Sequence, residues 1–178
     1  MPHQQHSSIR EGLVAGLIGG VVVAAWYFAV DLGRGELLHT PNVLGQVFVQ
    51  GDTIPATMAI SSGAVVQYSL LHFGWFLLFG IGLTALTHLA TGNPTFRMGV
   101  LLFLVVGLLF WFGISSTLFR LTDQRFPWLT FLIGTVLGVG AMGFYLWRGH
   151  PTLRGSMRQL PLGAEVKSPP HPPGGPQS

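Results

Sequence analysis

The sequence predicts an all-α integral membrane protein, a four-helix bundle with a short interfacial amphipathic helix between its first and second members. Two observations predict this. Only 8% of residues are Asp, Glu, Lys or Arg, where roughly 25% is usual in a soluble domain. The few charges also stand at the ends of long uncharged runs. Glu11 and Asp31 bracket Gly12 to Val30; Asp52 and Arg97 bracket Thr53 to Phe96; Arg97 and Arg120 bracket Met98 to Phe119; Arg125 and Arg148 bracket Phe126 to Trp147. A helix needs about 20 apolar residues to cross about 30 Å of hydrocarbon. Three runs fit one crossing each, and the longest holds one crossing preceded by polar sequence.

Residues 1–11 form a polar lead, and the first crossing spans about residues 12–31. Arg10 before an apolar run resembles a signal peptide, but the run is long for one, so it is read as retained. Inside it stands "GLVAGLIGG". A dinucleotide loop needs G-x-G-x-x-G after a strand, and a phosphate loop ends in G-K-[ST]; neither pattern is here. Gly12, Gly16, Gly20 and Ala24 are spaced by four, so on a helix they form one small-residue face. In lipid such a face lets two backbones approach. Gly134 and Gly138 give the last crossing a shorter version. The first helix is expected to dock either on the last helix or on another subunit, its long following link leaving it free to sit apart.

That link, residues 32–63, is too long for an idle turn. In "HTPNVLGQVFVQG", Thr40 is placed to cap a helix and Pro41 to open it. Val43, Leu44, Val47 and Phe48 then share a face, which predicts a helix lying in the membrane interface. "GDTIPATMAI" adds a further turn before the second crossing, about residues 64–90. Short links, "TGNPTF" and "RLTDQRFP", lead to crossings at about 98–119 and 128–147, so these three helices are antiparallel neighbours. Residues 149–178 are a proline-rich tail without periodicity. The N-terminus, second link and tail carry Arg10, Arg97, Arg148, Arg154, Arg158 and Lys167, against Arg34, Arg120 and Arg125 opposite. By the positive-inside bias both termini face the cytoplasm, which in a bacterium means a multi-pass protein of the inner membrane.

Several chemistries find no residues to carry them. With no cysteine there are no disulfides, thiolate sites or cysteine nucleophiles. The net charge of +3 comes from few, scattered groups and does not imply nucleic acid. Ser115, Ser116 and Thr117 have no base nearby in sequence, and no soluble substrate is indicated. Asp31, Arg34, Glu36 and His39 cluster without metal-ligand spacing, and Asp31 and Arg34 are expected to pair across one turn. His72 is the residue to watch, because an ionisable group at membrane depth is a functional candidate. Its imidazole could ligate haem or chlorophyll, or bond a neighbouring helix through Ser69, Tyr68 or the third helix. His88 and His39 lie at the wrong depth to complete a haem pair. Trp26, Trp75 and Trp111 sit deep, while Tyr145, Trp147 and Trp128 fit interface belts. No cofactor is firmly implied beyond a neighbouring pigment, quinone or lipid.

The stretch from Gly16 to Phe48, followed by "YSLLHFGWFLLFGIG", resembles a family of small uncharacterised bacterial integral membrane proteins. The shared positions are Asp31, Gly35, Leu38, Thr40, Pro41, Leu44, Gly45, Tyr68, His72 and Phe73. The resemblance implies four helices and no activity. Together these features point to a non-catalytic accessory subunit that stabilises a larger membrane complex, respiratory or photosynthetic (a reaction centre or light-harvesting assembly). Its partners are other membrane subunits and the bilayer. A haem- or pigment-binding redox protein using His72 is the alternative, and a small transporter or channel the third.

Overall fold

A computed structural model describes residues 3–52, 59–92, 95–121 and 128–149. The described chain is all-helical. It runs α1 (His3–Arg34), α2 (His39–Phe48), α3 (Ser62–Gly92), α4 (Thr95–Leu121) and α5 (Trp128–Gly149). Three of these are long and apolar enough to cross a membrane: Ser8–Arg34, Ser62–Ala90 and Trp128–Gly149. The uncharged run Met98 to Phe119 lies within α4. The turn expected within residues 51–60, both short links in part and the tail beyond Gly149 lie outside the described residues.

Helices α1 and α4 extend at both ends past the uncharged runs that predict them, while α3 lies inside its longer run. The apolar run marks a length of hydrocarbon, whereas a helix stops only where its backbone is capped. At its N-terminal end, "HQQHSSIRE" contains no breaker, so the lead is helical from His3. At its C-terminal end, α1 stops at Gly35, whose φ is +73°. There the Glu36 N–H donates to Asp31 C=O and the Gly35 N–H to Leu32 C=O, both at 3.0 Å. This is a Schellman closure, which needs a left-handed residue after the last turn.

The helices are organised around α1. It packs against both α3 and α5, while α4 touches α3 and α5 on the far side. The small-residue row seats α1 on α3 rather than on the last helix. A Cβ on Gly12 would lie 2.6 Å from Ile81 Cα, and one on Gly16 would lie 2.7 Å from Leu77 Cα. Gly80 returns the favour from α3, facing Gly12 and Gly16. Gly20 meets the Phe73 and Phe76 side chains. Contact with α5 uses a different glycine of α1: Gly19 abuts Met142, while Gly134 and Gly138 meet Trp26, Tyr27 and Val23. Helix one is thus the hub and does not sit apart. A four-residue spacing identifies a close-approach face but not which helix fills it. Ala24, the last residue of the row, is half-buried.

The short helix also differs from its expected setting. Val43 and Leu44 are buried in a cluster with Val23, Tyr27 and Phe131, and Val47 packs on its edge. Only Phe48 of the four apolar residues is exposed. Asn42, Gly45 and Gln46 are buried too. Periodicity shows that α2 has an apolar face; the structure shows that protein, not lipid, covers it. A second apolar cluster, Ala15, Leu83, Met142 and Leu146, joins α1, α3 and α5 at the other end.

Candidate functional site

A set of buried polar groups meets where α1 ends, α2 lies across and α3 begins. Asp31 is 1% exposed. Its Oδ2 accepts the Thr40 N–H at 2.8 Å, and its Oδ1 accepts the Thr40 hydroxyl at 2.6 Å. The first N–H groups of a helix have no internal partners and carry partial positive charge. A carboxylate from α1 therefore caps α2 at long range. Thr40 is not the cap, as the sequence suggested, but a residue of the first turn that receives one. The residue before the helix is Leu38, in a left-handed conformation at φ +62° with no side-chain cap. No ion pair joins Asp31 to Arg34 among the described residues; His39 Nδ1 lies 3.1 Å from Glu36 Oε2 instead. No group of three His, Asp or Glu arranged to hold a metal ion occurs among the described residues.

Asn42 ties α2 to α3. Its Nδ2 donates to Ala59 C=O at 3.1 Å, and its Oδ1 accepts the Ser61 N–H at 2.9 Å. Ser61 in turn caps α3 through Ala64 N–H at 3.3 Å. Gly45 lets α2 cross at Ala64, where a Cβ would strike the backbone. Nothing in the α2 sequence marks Asn42 as a bridge, since Gln46 is a second amide on the same short helix.

His72 lies one step deeper and is buried. Its Nε2 is 3.1 Å from Gly20 C=O on α1. A carbonyl only accepts, so Nε2 carries the hydrogen and Nδ1 is bare. The bond reaches α1, not the Tyr68, Ser69 or α4 groups considered from sequence. Ser69 donates to Val65 C=O at 2.7 Å within its own helix, and Ser116 likewise to Phe112 at 2.8 Å. The Ser115, Thr117 and Trp111 side chains lie outside the described ones. Trp26 Nε1–H donates to Thr130 C=O at 3.0 Å, fastening α1 to the start of α5. At the far end, His88 Nε2 lies 2.9 Å from Glu11 Oε2 and joins α3 to α1.

Between these groups is a cavity of about 380 Å³. Phe28, Phe73, Tyr27 and Tyr68 supply aromatic wall; Asp31, Thr40, Ser69 and His72 supply polar atoms. The Tyr27 hydroxyl is buried and has no hydrogen-bond partner among the described residues. Its ring meets Phe131 edge-on at 5.6 Å. Sequence reasoning singled out His72 and Asp31 separately. It could not bring them to one cavity, because that requires α2 to fold back over α1.

The chain matches no family model, no curated protein and no solved structure.

Proposed function

We propose that the chain is a four-crossing protein of the bacterial inner membrane, through α1, α3, α4 and α5, with both termini in the cytoplasm. We propose further that it is a non-catalytic subunit, stabilising a larger membrane assembly by helix packing. One observation carries the second step. The α5 helix turns Gly134 and Gly138 inward against α1, but Gly140 and Gly143 are exposed, with open space where a Cβ would stand. In lipid, apolar contact alone gives helices no reason to associate, and small residues that admit a neighbouring backbone do. An uncovered pair of glycines beside exposed Phe144 and Val136 fits the approach of another protein's helix.

The test is purification from native membranes in mild detergent, with the size of the particle measured and its components identified. Respiratory and photosynthetic assemblies carry small helical subunits and are surveyed first. Co-migration with a larger complex, abolished by Gly140→Leu with Gly143→Leu while the variant still melts as the parent does, supports the reading. A particle containing this chain alone, unchanged by the same substitutions and without cross-linked neighbours in native membranes, overturns it. His72 enters this role as a structural tie between α3 and α1, its Nε2 spent on Gly20. An axial ligand to haem or chlorophyll would have to give up that bond or use Nδ1.

A further inference from the structure

We infer that the cavity between α1, α2 and α3 binds a hydroxyl-bearing aromatic lipophile of the hydroquinone class. The inference is independent of the subunit role proposed above. It rests on which hydrogens around the cavity are already committed.

The Thr40 hydroxyl gives its hydrogen to Asp31. The Ser69 hydroxyl gives its hydrogen to Val65. His72 gives its Nε2 hydrogen to Gly20. Asp31 has none to give. What these four residues still offer is lone pairs: a carboxylate, two hydroxyl oxygens and the bare Nδ1 of the imidazole. The Tyr68 hydroxyl can donate or accept and so does not discriminate. A ligand that seats here must therefore bring hydrogens. One that only accepts, such as an oxidised quinone, can satisfy Tyr68 alone.

Size and wall chemistry narrow the class. About 380 Å³ is room for a single substituted ring, at the lower end of small-molecule sites. It is small for a macrocycle. The aromatic wall suits a flat ring, while Val21, Ala24 and Ala25 on α1 leave a low rim over which an alkyl tail can pass.

The experiment uses the full chain in lipid nanodiscs and three probes with one ring and one decyl tail. They are decyl-1,4-hydroquinone, its dimethyl ether and decyl-1,4-benzoquinone, each titrated by calorimetry against empty nanodiscs. The hydroquinone is expected to bind at least about tenfold more tightly than either analogue, since both lose the donors the cavity requires. Ala24→Phe adds bulk to the cavity wall at a residue with no polar side chain and is expected to remove at least about tenfold of that affinity. Equal binding of all three probes overturns the inference, because it signals partition into lipid only. So does no binding above empty nanodiscs, or tight binding that Ala24→Phe leaves unchanged. The probe comparison needs no variant, so it decides the matter even if Ala24→Phe fails to fold.

Discussion

Removing the Asp31 carboxylate is the sharpest test of how this fold is held. In Asp31→Ala, Thr40 keeps two buried donors, an N–H and a hydroxyl, with no acceptor. Hydrogen bonds to a charged group contribute about 1.5–3 kcal/mol each. Two therefore amount to roughly 3–6 kcal/mol. Deleting the carboxylate also removes its own cost of burial, which offsets part of the loss. The expected net destabilisation is about 2–4 kcal/mol. For a chain of this size, a 3 kcal/mol loss lowers Tm by about 6–12 °C. The assay is thermal unfolding in detergent, followed by circular dichroism. Hydrogen exchange of the Thr40 to Gly45 amides runs alongside, since loss of the cap opens α2 before the bundle melts. Asp31→Asn keeps an acceptor and is expected to fall between parent and alanine variant. Thr40→Ala, combined with Asp31→Ala, gives a coupling of at least about 1 kcal/mol. If Asp31→Ala melts within about 2 °C of the parent, or the double variant equals the sum of the singles, the long-range cap is not what fixes α2.

Gly16→Val places a Cβ 2.7 Å from Leu77 Cα, backbone against backbone, and is expected to cost at least about 3 kcal/mol in the same melt. Gly140→Ala meets nothing within 4 Å and should be neutral, or more stable by up to about 1 kcal/mol; equal losses at both sites would remove the distinction between them. Leu38→Gly relieves a left-handed non-glycine residue. It should raise stability by about 0.5–1 kcal/mol after the added freedom of the unfolded chain is subtracted. The absence of native cysteine permits a direct topology test. Single cysteines at Glu36 or Gln50 should react with a membrane-impermeant maleimide on intact cells, and one at Arg10 only after permeabilisation. The opposite pattern refutes the proposed orientation.

The long helices were legible because charge is costly at hydrocarbon depth, so its absence over twenty residues is a strong signal that needs no tertiary knowledge. The same reasoning placed the glycine row on one face. It could not say that Gly12 and Gly16 meet α3 while Gly19, outside the row, meets α5. Spacing encodes shape, and shape is answered only by the partner. The α2 region was legible as a helix and misread in its setting for a related reason. Thr40 before a proline is the local signature of a cap, and local signatures assume that the capping oxygen is nearby in sequence. Here it comes from Asp31, nine residues back on another helix. His72 was legible as a buried ionisable group. Its partner is a backbone carbonyl, Gly20, and no side-chain pattern announces one.

The distribution of ties also bears on where another protein could attach. Helix α1 is bonded to α2 through Asp31, to α3 through His72 and Glu11, and to α5 through Trp26. If the chain spans a membrane as proposed, these directional bonds, together with the glycine contacts, replace a hydrophobic drive that is missing between helices in lipid. Helix α4 stands outside that set. Its described contacts with α3 are aromatic and small: Phe103 stacks on Phe79 with centroids 4.9 Å apart, and Phe79 fits over Gly107. Beside it, Leu109, Phe112, Trp128 and Leu132 line an apolar groove between α4 and α5. The exposed Gly140 and Gly143 lie on α5, the helix that shares this groove. If the chain is a subunit, cross-links to a partner should concentrate on α4 and α5 and spare α2. Cross-links centred on α2 instead would mean that the assembly face had been placed on the wrong side of the bundle.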